Sequence, residues 1–427
     1  MGLVRQSLLW SEVGLNSFDL APGEVRDRFR RASRRGTPTW LWPDVDVSEW
    51  TEALGRISFV AREVLTQDRS GTVLGGNATA MGIAGYTSGM GPLLGYWLRS
   101  GKIVCSPSVA AVFDLHLRHN RLRMESMAAR AAKASGALSE HAIAHTFLKG
   151  MHTAYTYFPE PGTRPLSDID ILIDGRDKER AGPALRKCGL EAGLARAWPA
   201  EQCWRPADSA IEPRSLCFVH ADDPWAIDLH TSLNRRHAAG SPVFRLDDVM
   251  ASVSLEQSAL SPGAHTLPQP LLLLHLAVHA SCGLESLSLL RLVELVLVLR
   301  KDLKAGSFSW EVFLDMAEQS GALGCVFPAL KLSESLAPGT VPADVLSRSR
   351  SDVPAGVLRV IDPLTPADAH RVVRCSLRER FMWAPSRGAI ARQVIDEIFP
   401  PGTGSLKTLI AVYRTRIWRV ARRTLTL

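Results

Sequence analysis

The spacing of apolar positions changes period along this chain, and each change predicts an element. Val47 to Thr66 reads as a helix. Leu93, Leu94, Trp97 and Leu98 recur at helical spacing, as do Val109, Val112, Phe113, Leu115 and Leu117. Ala128 to Gly136 is alanine-rich and helical, and a further helix from Ser139 is expected to lead into Lys149-Gly150. The period then drops to two. Asp168-Ile169-Asp170-Ile171-Leu172-Ile173 predicts a strand, and Ser215 to His220 with Trp225 to His230 predicts a hairpin around Asp222-Asp223-Pro224. Between them Asp177 to Gly189 reads as a helix with Leu185 inward and Gly189 as its end. Pro270 to Ser281 and Leu287 to Arg300 predict two apolar helices, and a last helix runs from Ala389 to Ile398. The glycine-rich stretch 71–92 reads as a loop between helices, and the proline-bearing stretch 333–366 reads as loop-rich. The resulting fold class is α+β, a small mixed β-sheet embedded between helical regions: 1–138 mostly helical, 139–240 the sheet, and 241–427 helical again.

The strand at 168–173 carries the chemistry. Side chains alternate across a strand, so Asp168 and Asp170 share one face while Ile169 and Ile171 take the other. Paired carboxylates on one face repel unless something positive lies between them. A divalent cation fits, because Mg2+ is held by one or two carboxylates and completes its shell with phosphate and water oxygens. Asp228, flanked by Ile227 and Leu229, is a third carboxylate in the same kind of setting, and His230 shares its face.

Taken in order, Leu148-Lys149-Gly150, then Arg164-Pro165-Leu166-Ser167-Asp168-Ile169-Asp170, then Ala226-Ile227-Asp228-Leu229-His230 resemble the motif set of the uncharacterised nucleotidyltransferase-like family, a branch of the DNA-polymerase-β-type superfamily. The resemblance implies a nucleotidyltransferase core in which a helix ends in a glycine turn that receives a nucleoside triphosphate, with the metal-binding D-x-D strand after it. It implies that Asp168, Asp170 and Asp228 are catalytic and hold two Mg2+ ions, with Asp228 nearer the acceptor. Lys149, Gly150 and Arg164 would meet the phosphates. The bland alternatives are a snorkelling lysine and an arginine paired with Glu160 or an aspartate. His230 borders the acceptor or orients its neighbours. Met151 stands where the superfamily usually has a second small residue.

Composition adds bounds. The 427 residues suffice for two or three cores, and a 46% hydrophobic, 22% charged chain is an ordinary soluble type. A net charge of +7 favours anionic partners such as phosphates without specifying nucleic acid. Seven dispersed cysteines with no C-x-x-C argue against a disulfide framework and suit a reducing cytoplasm. No signal peptide is evident, and the apolar run 287–299, broken by Arg291 and Glu294, is too short to span a bilayer. His275 and His279 lie one turn apart, a spacing that can bind metal but lacks the glutamate of H-E-x-x-H, so core or substrate-contact roles are preferred.

Basic residues gather at Arg26 to Arg35 and again in an amphipathic tail from Ser405. The first is a solvated helix face or an anion patch. The second docks on its own protein, lies on a membrane surface or meets a phosphorylated partner. Neither adjoins the carboxylate motifs in sequence. The expected acceptor is therefore a small molecule or a peptide rather than long nucleic acid, which would want its cations along one track. A nucleotide-binding regulatory or scaffold protein without turnover, and a toxin-like tRNA nucleotidyltransferase, are the competing readings.

Overall fold

The structure, a computed structural model, describes residues 45–67, 71–193, 200–207, 224–236, 243–284, 287–370, 382–384, 386–398 and 413. The Arg26 to Arg35 cluster, the 215–220 strand and all of the basic tail except Tyr413 lie outside the described residues.

Helix α1 (Val47–Thr66) starts where the side chain of Asp46 accepts from the backbone N–H of Ser48, and it buries Trp50, Leu54, Ile57 and Ala61 along one stripe. A two-stranded parallel ribbon, β1 (Thr72–Leu74) and β2 (Ile103–Cys105), brackets α2 (Ala78–Ser88) and α3 (Gly91–Arg99). The glycine-rich stretch is therefore not a loop. Asn77 caps α2, and the glycines inside it and α3 serve close packing against α4 (Pro107–Glu140). A Cβ on Gly85 would lie 2.6 Å from the Phe113 ring, and one on Gly95 would lie 2.3 Å from the Phe113 carbonyl oxygen. Helix α4 runs unbroken for 34 residues through Gly136. After it comes strand β3 (His145–Phe147) rather than a second helix, so Lys149-Gly150 opens helix α5 (Lys149–Thr156) instead of closing one.

Strand β4 (Asp168–Ile173) and helix α6 (Lys178–Lys187) come next. Leu185 is buried and Gly189, at φ +81°, takes the left-handed turn that ends α6. After β5 (Leu190–Ala192), β6 (Glu201–Pro206) and β7 (Ala226–His230), the short helix α7 (Leu246–Met250) leads to β8 (Glu256–Gln257) and β9 (Ala264–Thr266). The strands form one seven-stranded mixed sheet in the order β5-β6-β7-β4-β3-β9-β8. Strand β7 pairs with β6 antiparallel on one edge and with β4 parallel on the other.

The C-terminal helices are α8 (Leu271–Cys282), α9 (Leu289–Ala305), α10 (Trp310–Gln319), α11 (Leu323–Leu336), α12 (Ala343–Ser351), α13 (Ala355–Ile361) and α14 (Arg387–Ile398). The stretch 333–366 is mainly helical. Pro342 and Pro354 start α12 and α13 as their caps, positions that cost no hydrogen bond because a first-turn N–H has no intrahelical partner anyway.

One sheet face packs Ile169, Ile171, Ile227 and Leu229 against α4 and α6. The opposite face carries the aspartates of β4 and β7, and its apolar members Leu148 and Leu172 join a cluster built from α1–α3 and α8–α13. The N- and C-terminal helices thus share a single core laid over the carboxylate face. Among the described residues, no helix is long and apolar enough to cross a membrane.

Burial holds two histidines of this framework down to about 4: His116, where His119 adds to the effect, and His152. An unfolded histidine takes its proton near pH 6.5, so between there and about 4 the unfolded chain binds more protons than the folded one. Stability is expected to be fully present above pH 6.5 and to fall as pH drops to about 4, with His116 alone accounting for about 3 kcal/mol. Urea midpoints taken from pH 7 to 4.5 read this directly; a flat profile in wild type, or an unchanged slope in His116→Leu, contradicts it.

Candidate functional site

Register assembles the carboxylates. Asp170 pairs with Asp228 across β4 and β7, Asp168 pairs with Ala226, and on the other side of β7 Glu201 stands opposite His230 and Cys203 opposite Asp228. Cross-strand partners project to the same face. Asp168, Asp170, Asp228, His230 and Glu201 therefore line one surface, beneath helices α5 and α8. Asp170 and Asp228 are each only 3% exposed, while Asp168 sits half-buried at the strand's mouth.

Asp170 is charged despite its burial. Lys149 Nζ lies 2.7 Å from its Oδ1 and His230 Nε2 lies 2.9 Å from the same oxygen. Burial pushes this carboxyl up, but the Lys149 charge and the bond to His230 outweigh it and hold the group well below the usual carboxylate range.

Lys149 reaches Asp170 from a strained turn. Its φ is +31°, a left-handed value for a residue with a side chain. The Leu148 amide donates to the Asp170 carbonyl at 3.0 Å, which ties the turn to β4. Gly150 is bare because of what lies beneath it. A Cβ there would sit 2.4 Å from Leu166 and 2.7 Å from Arg164 Nη1. Arg164 in turn gives its fork to Glu294 of α9 at 2.8 and 3.0 Å, and Thr153 donates its hydroxyl to the same carboxylate. The structure places Arg164 under the turn, neutralised by Glu294, whereas Glu160 pairs with Arg121. Met151 is 1% exposed and belongs to the apolar cluster on the far side of the sheet.

Three further groups enter the site that the sequence motifs did not place there. His279 of α8, half-buried, has Nε2 3.2 Å from Lys149 Nζ. His275, one turn deeper and fully buried, has no hydrogen-bond partner on either ring nitrogen. Burial first, then the charges of Lys149 and Arg235, holds both histidines well below their ordinary value. Arg235, past the end of β7, touches Glu201 through Nη1 at only 3.5 Å, and its Nε is buried without a partner. The one-turn spacing of the histidines was visible in the sequence, but not the surface they face. Asn234-Arg235-Arg236 offered no signal at all.

The donor set suits a hard cation: all-oxygen carboxylates in register, of which Asp170 already binds the Lys149 ammonium. As the side chains stand, no three His, Cys, Asp or Glu residues among the described ones are close enough to hold a metal together. A cation held here would need Lys149 to leave Asp170 and the carboxylates to turn toward one another.

The model of a family described as uncharacterised nucleotidyltransferase matches residues 86–338. No curated protein and no solved structure matches the chain.

Glu294 is the partner that keeps a buried arginine under the glycine turn. Glu294→Gln leaves Arg164 buried and unpaired and is expected to cost roughly 3–5 kcal/mol in urea unfolding. The double variant Glu294→Gln with Arg164→Met should recover part of that loss. A neutral single variant would show that the pair does not support the turn.

Proposed function

The chain belongs to the uncharacterised nucleotidyltransferase family, and on that premise we propose that it moves a nucleoside monophosphate from a nucleoside triphosphate to a small-molecule or peptide acceptor. The observation that carries this reading is the register of β4 and β7, which sets Asp170 beside Asp228 with Asp168 two positions away on the same face.

Asp168, Asp170 and Asp228 would hold Mg2+, which when bound neutralises phosphate charge and polarises the reacting phosphoryl group. The rest is the work of the chain. Lys149 leaves Asp170 for the triphosphate, a short move for a flexible ammonium already at the site. The first amides of α5 face an end where Leu148 supplies no capping side chain, and such uncapped N–H groups suit an anion. His230 keeps its bond to Asp170 and so fixes the carboxylate's orientation. Asp228, on β7 and so one strand further than Asp170 from the Lys149 turn, takes the acceptor's proton. Most of the rate then comes from positioning and charge stabilisation.

Replacing Asp168 and Asp170 together by asparagine should leave the circular dichroism spectrum intact and abolish Mg2+-dependent triphosphate binding in calorimetry; unchanged binding would sink the assignment.

The acceptor is tested by incubating the protein with each α-labelled triphosphate and Mg2+, with total RNA in one tube and a small-molecule and peptide extract in another. Label is expected in the second tube. Label in RNA alone, lost as salt rises, would instead select the tRNA-directed reading. Bound nucleotide with label in neither tube would favour a regulatory protein without turnover.

A further inference from the structure

Beside the carboxylate face stand polar groups that the transfer chemistry leaves unused. A guanidinium presents five N–H donors and an imidazole two nitrogens, and when buried these groups are nearly always satisfied. Arg235 falls well short. Its side chain is 18% exposed, its Nε is buried without a partner, and its ion pair to Glu201 is a long 3.5 Å. His275 falls further short, fully buried with both nitrogens bare. Both orphans border the same site: Arg235 reaches Glu201, the register partner of the His230 that bonds Asp170, and the His275 ring lies 6.3 Å from that of His279, whose Nε2 is 3.2 Å from Lys149 Nζ.

Arg164 is the opposite case. That arginine has the sequence position expected of a phosphate ligand, yet its fork is spent on Glu294. Arg235 has no sequence signature, yet its Nε is unspent and it stands at Glu201, opposite the His230 that bonds Asp170. A planar guanidinium fork matches phosphate oxygens better than any neutral ligand. A neutral imidazole can add one N–H to the same group and keep its other nitrogen for a hydroxyl.

We propose that Arg235 and His275 form an oligophosphate-binding wall beside the carboxylates, which receives the phosphate chain of the nucleotide and holds the pyrophosphate product. The wall rests on the nucleotidyl-transfer reading for its ligand, but it concerns residues outside the family's carboxylate and glycine motifs. The phosphate chain would then lie between the carboxylates, which would hold Mg2+, and a guanidinium.

The test is calorimetry in Mg2+ buffer, titrating inorganic pyrophosphate, a non-hydrolysable nucleoside triphosphate, and the plain nucleoside. The proteins are wild type, Arg235→Gln, Arg235→Lys and His275→Gln, with Arg350→Gln as a distant surface control. Arg235→Gln should weaken pyrophosphate binding about 10- to 100-fold, the worth of hydrogen bonds to a charged group. Arg235→Lys keeps the charge and the fold but not the fork, and should lose part of the affinity. His275→Gln should lose about 5-fold or more, and the control and the plain nucleoside should show no change.

Full pyrophosphate affinity in both Arg235 variants overturns the proposal. If triphosphate still binds wild type under that outcome, nucleotidyl transfer survives and only the wall falls. If wild type binds pyrophosphate through Arg235 but no triphosphate, the wall stands and nucleotidyl transfer falls. If wild type binds neither, both fall.

Discussion

A carboxylate on a buried sheet face must be compensated, and the site is arranged around the compensation of Asp170. The group is 3% exposed and yet ionised, because an ammonium and an imidazole converge on one of its oxygens. The ammonium arrives from Lys149, whose backbone sits in a conformation that side chains seldom tolerate. That conformation persists because the turn is gripped from below. Gly150 rests on Arg164 and Leu166, Arg164 is locked by Glu294, and Thr153 of α5 holds the same glutamate. A run of paired charges therefore leads from helix α9, through the turn, to the carboxylates. Each pair is removed from water, so each partner depends on the next.

Much of this was legible in the sequence. The alternation of Asp168 to Ile173 and of Ala226 to His230 gave both central strands with the correct inward residues, since period-two patterning reports directly which side chains share a face. Helices such as Val47–Thr66 and Arg387–Ile398 were readable from apolar spacing. The failures have physical causes. Strand β3 is three residues long, all buried, and too short to show any period. Strand β6, Glu201–Pro206, has no alternation of its own and is a strand because β7 needs a second neighbour. The glycines at 82–91 looked like loop residues because sequence does not show Val112, Phe113 and His116 of α4 packed on them. Prolines at 342 and 354 looked like breakers, though they stand where a helix can begin.

The site residues divide the same way. Local pattern put the aspartates on one face, because that placement is encoded within single strands. It did not anticipate the pairing of Arg164 and overlooked Arg235, because an arginine's role depends on whether another charge has already claimed it. Glu294 lies 130 residues from Arg164 in sequence, and nothing local announces their meeting. His275 and His279 announced their mutual spacing but not that α8 lies across the carboxylates.

The shared core over the carboxylate face means that the carboxylate-bearing sheet is not a portable unit. A fragment cut after residue 240 would retain the three aspartates, His230, Lys149 and Gly150, the whole recognisable signature. It would lack Glu294 to neutralise Arg164, α8 to bring His279 against Lys149, and β9 to pair with the free edge of β3. A survey of sequences by signature alone would score such a fragment as complete. The helices are as much part of the site as the sheet, so exchanging one without the other would separate the motif from the charges that surround it.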